Sequence, residues 1–258
     1  MNNVTVIPIP AFQDNYIWLM RNQRYAAAVD PGDAAPVLAY LRREKLELTA
    51  ILNTHHHADH VGGNAGLLRE FRVPVYGPRN ESIPLLTYRL VEGDHVSLPS
   101  LGLDFKVLDI PGHTSGHIAY YGANLLFCGD TLFACGCGKL FEGTAQQMYA
   151  SLQKLSSLPD ATLVYCGHEY TLANIRFAKA ADPANAALLK LETTVRGLRE
   201  LGMPTLPSDI GLEKATNPFL RCNHPEIVQA ASRAAGKKLT DPESVFAAIR
   251  EWKNNFKI

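Results

Sequence analysis

The sequence lacks an excess of charge of either sign. Its 258 residues contain 25 Lys and Arg against 25 Asp and Glu, so it has no basic field to neutralise nucleic-acid phosphates. It also lacks any apolar run near the ~20 residues that cross a bilayer. Residues 1–12 lack the basic start and long apolar stretch of a signal peptide. We therefore expect neither nucleic-acid nor membrane partners.

Cysteine is scarce, and its spacing fits neither a disulfide framework nor a thiolate metal site. The Cys135-Gly136-Cys137 stretch has no second cysteine pair to complete a zinc site, so we interpret it as two small side chains in a glycine-rich loop. An odd number of scattered cysteines predicts a reduced, cytoplasmic protein. The five are Cys128, Cys135, Cys137, Cys166 and Cys222.

The first two-thirds of the chain contains short apolar runs that alternate with helical patterns. This alternation predicts a layered α/β (α+β) fold. The predicted helices are 34–44, 63–71 and 145–156. The predicted strands are 4–9, 16–20, 25–29, 50–52, 73–76, 105–110, 118–121, 124–128 and 162–166.

After His168 the pattern becomes helical. Asp182-Pro183 and Asp241-Pro242 have the form of helix starts, with Asp as the N-cap and Pro in the first turn. Residues 202–219 are rich in Pro, Gly and Ser, so we expect a loop there. The predicted helices are 172–180 continuing into 184–201, then 225–235 and 242–256. We place a domain boundary near residue 172, giving domains 1–171 and 172–258.

The densest chemistry lies in residues 54–60, Thr-His-His-His-Ala-Asp-His, between the apolar run 50–52 and the glycines Gly62 and Gly63. Imidazole and carboxylate are the usual ligands of zinc, iron and manganese. The spacing of these side chains cannot fit one helix face, but a tight loop can bring them together. The following glycines let the backbone turn closely. We interpret the segment as a metal-binding loop.

Three more ligand-type residues follow apolar strands, each beside a glycine: His113, Asp130 and His168. Asp30, in Asp-Pro-Gly, has the same context. Loops at the carboxyl ends of strands converge in layered sheet folds. Five His and two Asp provide seven donors, whereas one zinc needs three or four. Seven donors suit two ions that share a bridging carboxylate.

This loop, with Pro-Gly-His-Thr at 111–114, Cys-Gly-Asp at 128–130 and Cys-Gly-His at 166–168, resembles the metallo-β-lactamase superfamily over about residues 4–170. The resemblance implies an αββα sandwich with two divalent ions at one edge, zinc foremost, with iron or manganese as alternatives. It implies that Asp30 supports the histidine loop from behind. The implied ligands are His55, His57 and His113 for the first ion, Asp59, His60 and His168 for the second, and Asp130 as the bridge.

Residues 129–144, 166–171, 217–221 and the last helix resemble the glyoxalase II (hydroxyacylglutathione hydrolase) family, with its helical C-terminal domain. This implies an enzyme that hydrolyses S-(2-hydroxyacyl)glutathione, such as S-D-lactoylglutathione to D-lactate and glutathione, in the second step of methylglyoxal detoxification. We expect a monomer. The nucleophile would be a metal-held hydroxide, with Asp59 and Asp130 as the catalytic carboxylates. The implied glutathione-binding positions are Lys139, Tyr170, Arg250, Lys253 and Phe141.

The roles of three of these positions stay open. Many family members have tyrosine at position 141, so Phe141 removes a hydroxyl and one possible hydrogen bond to glutathione. Arg250 and Lys253 are three residues apart and share a helix face. Cations near a helix C-terminus are also favoured by the helix dipole alone.

Other functions of the same fold stay open at this stage. One is a glutathione persulfide dioxygenase with a single iron, for which we would expect loss of the second metal site and a short C-terminus. Another is a different thioester or lactone hydrolase, and a third is a non-catalytic metal-binding protein. The neutral charge disfavours a nuclease. The sequence contains no Gly-x-Ser-x-Gly motif, which would indicate a serine nucleophile, and no glycine loop of the kind that binds nucleotide phosphates.

Overall fold

The computed structural model describes residues 4–256. They divide into two compact units. The first unit runs to Asp109 and includes Ser115–Gly129; the second consists of Ile110–Thr114 and the chain from Asp130 onward. Among the described residues, no helix is both long and apolar enough to cross a bilayer.

The first unit contains a six-stranded sheet in the order β1 to β6. Its first three strands are antiparallel neighbours, and β3 to β6 pair in parallel. The central strands are almost continuously apolar and buried, as expected where a sheet is covered. The strands are Thr5–Ala11, Asn15–Arg21, Tyr25–Val29, Glu47–Leu52, Val75–Pro78 and Tyr88–Leu90.

Helices of the first unit follow its parallel strands. In α1, Ala34–Glu44, Val37 and Leu41 are buried and join the core formed with Leu19, Ala28 and Ile51. The predicted helix 63–71 is present as the shorter α3, Asn64–Leu68, and a further short helix, α2, Ala58–Val61, lies in and just after the predicted metal-binding loop.

Four further strands of the first unit form an antiparallel set in the order β7 to β10. They are His95–Leu98, Leu103–Asp109, Ile118–Gly122 and Leu125–Gly129. Strands β6 and β7 were not predicted. They are three and four residues long, and two side chains of each are exposed, so neither forms an apolar run long enough to indicate a strand.

The second unit is mostly helical. Its strands are two short antiparallel pairs, Leu132–Phe133 (β11) with Gly136–Cys137 (β12), and Leu163–Cys166 (β13) with Ser208–Asp209 (β14). The helices α4 to α9 are Ala145–Ser156, Thr171–Ala181, Ala186–Glu200, Ile210–Thr216, Pro225–Ala235 and Pro242–Asn254.

Two predictions for the helical region were wrong. Asp182 is not an N-cap: its carboxylate accepts hydrogen bonds from Arg221 and Asn185 at 3.0 Å each, and Asn185 caps α6 instead. The expected loop 202–219 contains β14 and α7, which begins after the N-cap Asp209. By contrast, the predicted start of α9 at Asp241-Pro242 is confirmed, since the Asp241 side chain accepts from Ser244 N.

Candidate metal centre

The histidine loop begins where β4 ends, and its imidazoles lie close together. Thr54 Oγ1 lies 3.0 Å from His55 Nδ1, and His55 Nε2 lies 3.1 Å from His57 Nδ1. His55 and His60 are buried, with ring centroids 4.2 Å apart. The contact of Thr54 with one nitrogen of His55 fixes the ring so that the other nitrogen faces His57.

Asp30 links the two ends of this loop. It follows β3 with a positive φ of 50°. Its carboxylate accepts from Thr54 N at 2.7 Å and Thr54 Oγ1 at 2.6 Å, and it lies 3.1 Å from His60 Nδ1. Asp30 therefore contacts His60 through Nδ1, on the side of the ring away from Nε2.

Asp59 and His60 form the other part of the loop. Asp59 Oδ2 accepts from Asn15 Nδ2 at 2.9 Å and lies 3.5 Å from His60 Nε2. The loop reaches this position because Gly32 has no side chain: a Cβ on Gly32 would lie 1.9 Å from Asp59 O. The first unit thus brings Asp30, His55, His57, Asp59 and His60 together.

Glu81 is a residue of this region that the sequence did not identify. It is buried, and its carboxylate accepts from His56 N and Gly116 N at 2.9 Å each, while also contacting His56 Nδ1. It therefore fixes the backbone between His55 and His57. An isolated Glu between Asn80 and Ser82 has no pattern that could reveal this role.

Glu81→Leu should weaken metal binding by ~10–100-fold, the usual loss when a group that supports a ligand is removed. The change deprives two backbone N–H groups of their acceptor, whereas Glu81→Gln keeps one acceptor oxygen. Competition with a chromophoric chelator measures the affinity. Glu70→Leu, which removes an exposed ion pair with Arg42, is the control; equal affinity in the two leucine variants would contradict the role.

In the second unit, two imidazoles meet one carboxylate oxygen. Asp130 Oδ2 lies 3.4 Å from His113 Nε2 and 3.2 Å from His168 Nε2, and all three residues are buried. His113 Nδ1 lies 2.8 Å from Lys139 O. This backbone contact makes Nδ1 the protonated nitrogen and leaves the Nε2 lone pair towards Asp130.

Gly138 permits this arrangement. A Cβ on Gly138 would lie 1.9 Å from Asp130 O and 3.2 Å from His113 Nδ1. Any side chain there would displace the segment that carries Lys139. The absence of a side chain at Gly138 therefore allows the segments that carry Asp130 and His113 to approach closely.

Aromatic rings surround these ligands in the second unit. Tyr170 stacks on His168 at a centroid distance of 4.7 Å, and Phe133 packs edge-on against Tyr170 at 5.3 Å. Phe141 packs edge-on against His113 at 5.2 Å and is 60% exposed. Lys139 is exposed, with its Nζ 5.4 Å from the centroid of the Phe141 ring. Lys139, Phe141 and Tyr170 therefore lie beside metal-ligand candidates.

The basic pair on α9 lies against the β11–β12 hairpin. Arg250 is buried, and its Nη1 donates to Cys137 O at 2.9 Å. Lys253 is half-buried and donates to Asn174 Oδ1. Desolvation of its ammonium, helped by the charge of Arg250, lowers the pKa of Lys253 to about 8. The two cations share one helix face, as their spacing predicts.

The donors of both units fit divalent cations. Imidazole nitrogens and carboxylate oxygens of the kind zinc, iron and manganese accept lie within 3.5 Å of one another in each unit. Several of the imidazoles have their second nitrogen fixed by Thr54, Asp30 or Lys139 O. Without a cation, such a concentration of buried polar groups would be costly.

Comparison with known proteins agrees with this chemistry. Residues 12–168, more than half of the chain, match the model of the metallo-beta-lactamase superfamily. Residues 169–256 match the hydroxyacylglutathione hydrolase C-terminus. The prediction of a metallo-β-lactamase fold followed by a helical C-terminal region is confirmed.

One curated relative and two solved structures show the extent of the similarity. A hydroxyacylglutathione hydrolase of Nitrosomonas eutropha is 63% identical over 98% of this chain and 99% of its own length. The crystal structure of ETHE1 from Myxococcus xanthus has a TM-score of 0.64 and 26% identity, covering 97% of this chain and 98% of that one. TTHA1623, solved in a di-iron-bound form, has a TM-score of 0.58 and 28% identity, covering 84% and 100%. The chain belongs to the hydroxyacylglutathione hydrolase (glyoxalase II) family of the metallo-β-lactamase superfamily.

Proposed function

We propose that this enzyme hydrolyses S-(2-hydroxyacyl)glutathione thioesters, with S-D-lactoylglutathione as the representative substrate and D-lactate and glutathione as products. The observation that carries the proposal is family membership at 63% identity over nearly the full length in a chain whose ligand-type residues cluster in both units. The reaction makes it a thiolester hydrolase. It would supply the second step of methylglyoxal detoxification.

We propose that seven side chains hold two divalent ions. His55, His57 and His113 would hold the first, Asp59, His60 and His168 the second, and Asp130 would bridge them. Two such ions would supply a water of lowered pKa and an electrophile for the thioester carbonyl. Zinc suits these donors, as do iron and manganese, and the di-iron form of the related TTHA1623 supports a two-ion site.

The chain's own residues have separate tasks in this proposal. Asp59 and Asp130 supply the negative charge that holds the cations, and Asp30, through Thr54 and His60, orients the histidine loop. Glutathione leaves as a thiolate. Because a thiol has a pKa of ~8.5, the leaving group needs no proton donor. No side chain is therefore assigned as a general acid.

For the glutathione portion we propose binding by Lys139, Tyr170, Arg250 and Lys253. Glutathione carries carboxylates, which cations bind through charge-assisted hydrogen bonds. Lys139 and Tyr170 lie beside His113 and His168, respectively, so they can contact the part of glutathione nearest the thioester. Phe141 offers its exposed ring as an apolar contact without a hydroxyl.

The Lys253 role gives a pH dependence with a definite sign. Because the pKa of Lys253 is lowered to about 8, the side chain is mostly a cation that attracts a carboxylate at lower pH and mostly neutral at higher pH. We expect the KM to rise from about pH 7 to about pH 9. In Lys253→Arg, whose guanidinium stays charged, this rise should disappear, whereas the control Lys214→Arg should keep it. An identical pH profile of KM in wild type and Lys253→Arg would refute the role.

The direct test is cleavage of S-D-lactoylglutathione by the protein, combined with metal analysis of the same sample. We expect stoichiometric release of thiol and about two ions per chain. A fully metal-loaded protein that cleaves no glutathione thioester would overturn the proposal. Oxygen uptake with glutathione persulfide would indicate the dioxygenase instead, which the near-full-length relatives do not favour.

Three further properties complete the proposal. We infer two domains, 1–171 and 172–258, supported by the family matches that meet between residues 168 and 169. We infer a cytoplasmic location, supported by an odd number of scattered cysteines, all of them buried. We infer a monomer without nucleic-acid or membrane partners, and light scattering tests the oligomeric state.

A further inference from the structure

A glutamate outside the metal ligands lies at the centre of a buried hydrogen-bond network in the second unit. Glu213, on α7, is completely buried. Its Oε2 accepts from Cys135 N at 2.8 Å and Asn217 Nδ2 at 2.9 Å, while Oε1 accepts from Ser208 Oγ. The three donors lie in the β11–β12 hairpin, in β14 and at the residue that ends α7 itself.

The first of these segments is the β11–β12 hairpin, Leu132–Cys137. Cys135 at its turn has a positive φ of 54°, a strained conformation for a residue with a side chain. Asn217, held by Glu213, also donates to Phe133 O at 3.1 Å and Gly136 O at 2.9 Å. The hairpin is therefore fixed at both strands and at its turn.

This hairpin lies between residues of the proposed site. Asp130 is two residues before it and Lys139 two residues after it. Gly138 N donates to Thr131 O at 3.1 Å, which closes the hairpin base beside Asp130. A displacement of the hairpin would therefore move a ligand and a substrate-binding residue together.

The second segment reaches the same ligands from another direction. Ser208 belongs to β14, where it pairs with Val164 of β13. Strand β13 ends at Cys166 and leads directly to His168, whose Nε2 lies 3.2 Å from Asp130 Oδ2. Glu213 is thus hydrogen-bonded to the hairpin that follows Asp130 and to β14, the strand that pairs with the one leading to His168.

A carboxyl group at this buried position destabilises the folded state, because it loses its hydration. Burial raises the pKa of Glu213 to about 7, although hydrogen bonds from Ser208 and Asn217 oppose the rise. A leucine would fill a similar volume without this desolvation. The residue is therefore explained by the three donors it satisfies, and not by packing.

We propose that Glu213 is a positioning residue that sets the β11–β12 hairpin, and with it Asp130 and Lys139, relative to His168. The consequence for catalysis rests on the proposed function. A misplacement of about 1 Å from a site remote from the chemistry can reduce the rate by ~10²-fold.

The test compares three variants below their unfolding temperatures, with metal content measured in each. Glu213→Leu removes all three acceptor contacts, and we expect kcat/KM for S-D-lactoylglutathione to fall by ~10–100-fold. Glu213→Gln should restore most of the activity, because its oxygen can accept from Cys135 N and its amide can donate to Ser208 Oγ. Glu192→Leu is the matched control. It removes another buried glutamate, which lies on α6 and pairs with Lys179 of α5 and Arg196 of α6.

Hydrogen exchange of the Cys135 amide gives a readout that does not depend on activity. It should accelerate in Glu213→Leu and stay slow in Glu213→Gln and Glu192→Leu. If Glu213→Leu fails to fold, Ser208→Ala should show a smaller change in the same direction. Unchanged kinetics and Cys135 exchange in Glu213→Leu would overturn the proposal. If the wild type does not cleave the thioester, the proposed function fails, while Cys135 exchange still decides the role of Glu213.

Discussion

Asp130→Ala should reduce thioester hydrolysis below ~0.1% of the wild-type rate, a larger loss than the ~10–100-fold typical of a group that only supports a ligand. The structure gives the reason. Asp130 Oδ2 lies within 3.4 Å of both His113 Nε2 and His168 Nε2. Its removal would leave the two imidazoles without the shared negative charge that attracts a cation.

The measurement combines steady-state kinetics with metal analysis. We expect Asp130→Ala to bind less metal per chain and Asp130→Asn, which keeps the shape but loses the charge, to fall between alanine and wild type. The control is Asp160→Ala, which removes an exposed carboxylate of the second unit that pairs with Lys214. Activity above one-tenth of wild type in Asp130→Ala, with full metal content, would refute the bridging role.

Removal of the metals should abolish activity and lower the melting temperature. Chelation leaves the buried carboxylates and imidazoles of both units without the ions that stabilise them. Restored zinc, iron or manganese should bring back both properties. The ion that restores the highest kcat/KM identifies the preferred metal, which the donor set alone does not choose.

Circular dichroism distinguishes loss of the ions from loss of the fold. We expect the far-ultraviolet spectrum of the chelated protein to keep its helical signal, since the cores of both units contain apolar side chains such as Leu19, Ile51, Ile175 and Leu188. A preparation with no bound metal that still cleaves the thioester at the wild-type rate would contradict the two-ion mechanism.

Local sequence patterns predicted the strand ends well. Asp30 follows β3, the histidine loop follows β4, and Asp130 follows β10 within one residue. A buried strand is a short apolar run, and a ligand at its end stands beside a glycine, so both features are local. The start of α9 was predictable for the same reason, because the N-cap and its proline are adjacent in sequence.

Other elements depended on contacts that no local pattern encodes. Asp182 has the sequence form of an N-cap, yet its carboxylate accepts a hydrogen bond from Arg221, 39 residues later in the chain. Helix α7 is a short helix in a stretch rich in loop-forming residues, and the buried Glu213 that it carries bonds to Cys135, 78 residues earlier.

The sequence by itself determined the fold and the family, and it predicted the metal ligands that we propose, because those signals lie in short motifs at strand ends. Apart from Asp30, which the family resemblance implied, only the tertiary structure decided which groups support these ligands. Glu81 accepts from the backbone N–H groups of His56 and Gly116, and Glu213 accepts from the backbone N–H group of Cys135, all in distant segments of the chain. Every residue except proline offers such a donor, so no side-chain pattern marks the partner, and only folding brings acceptor and donor together.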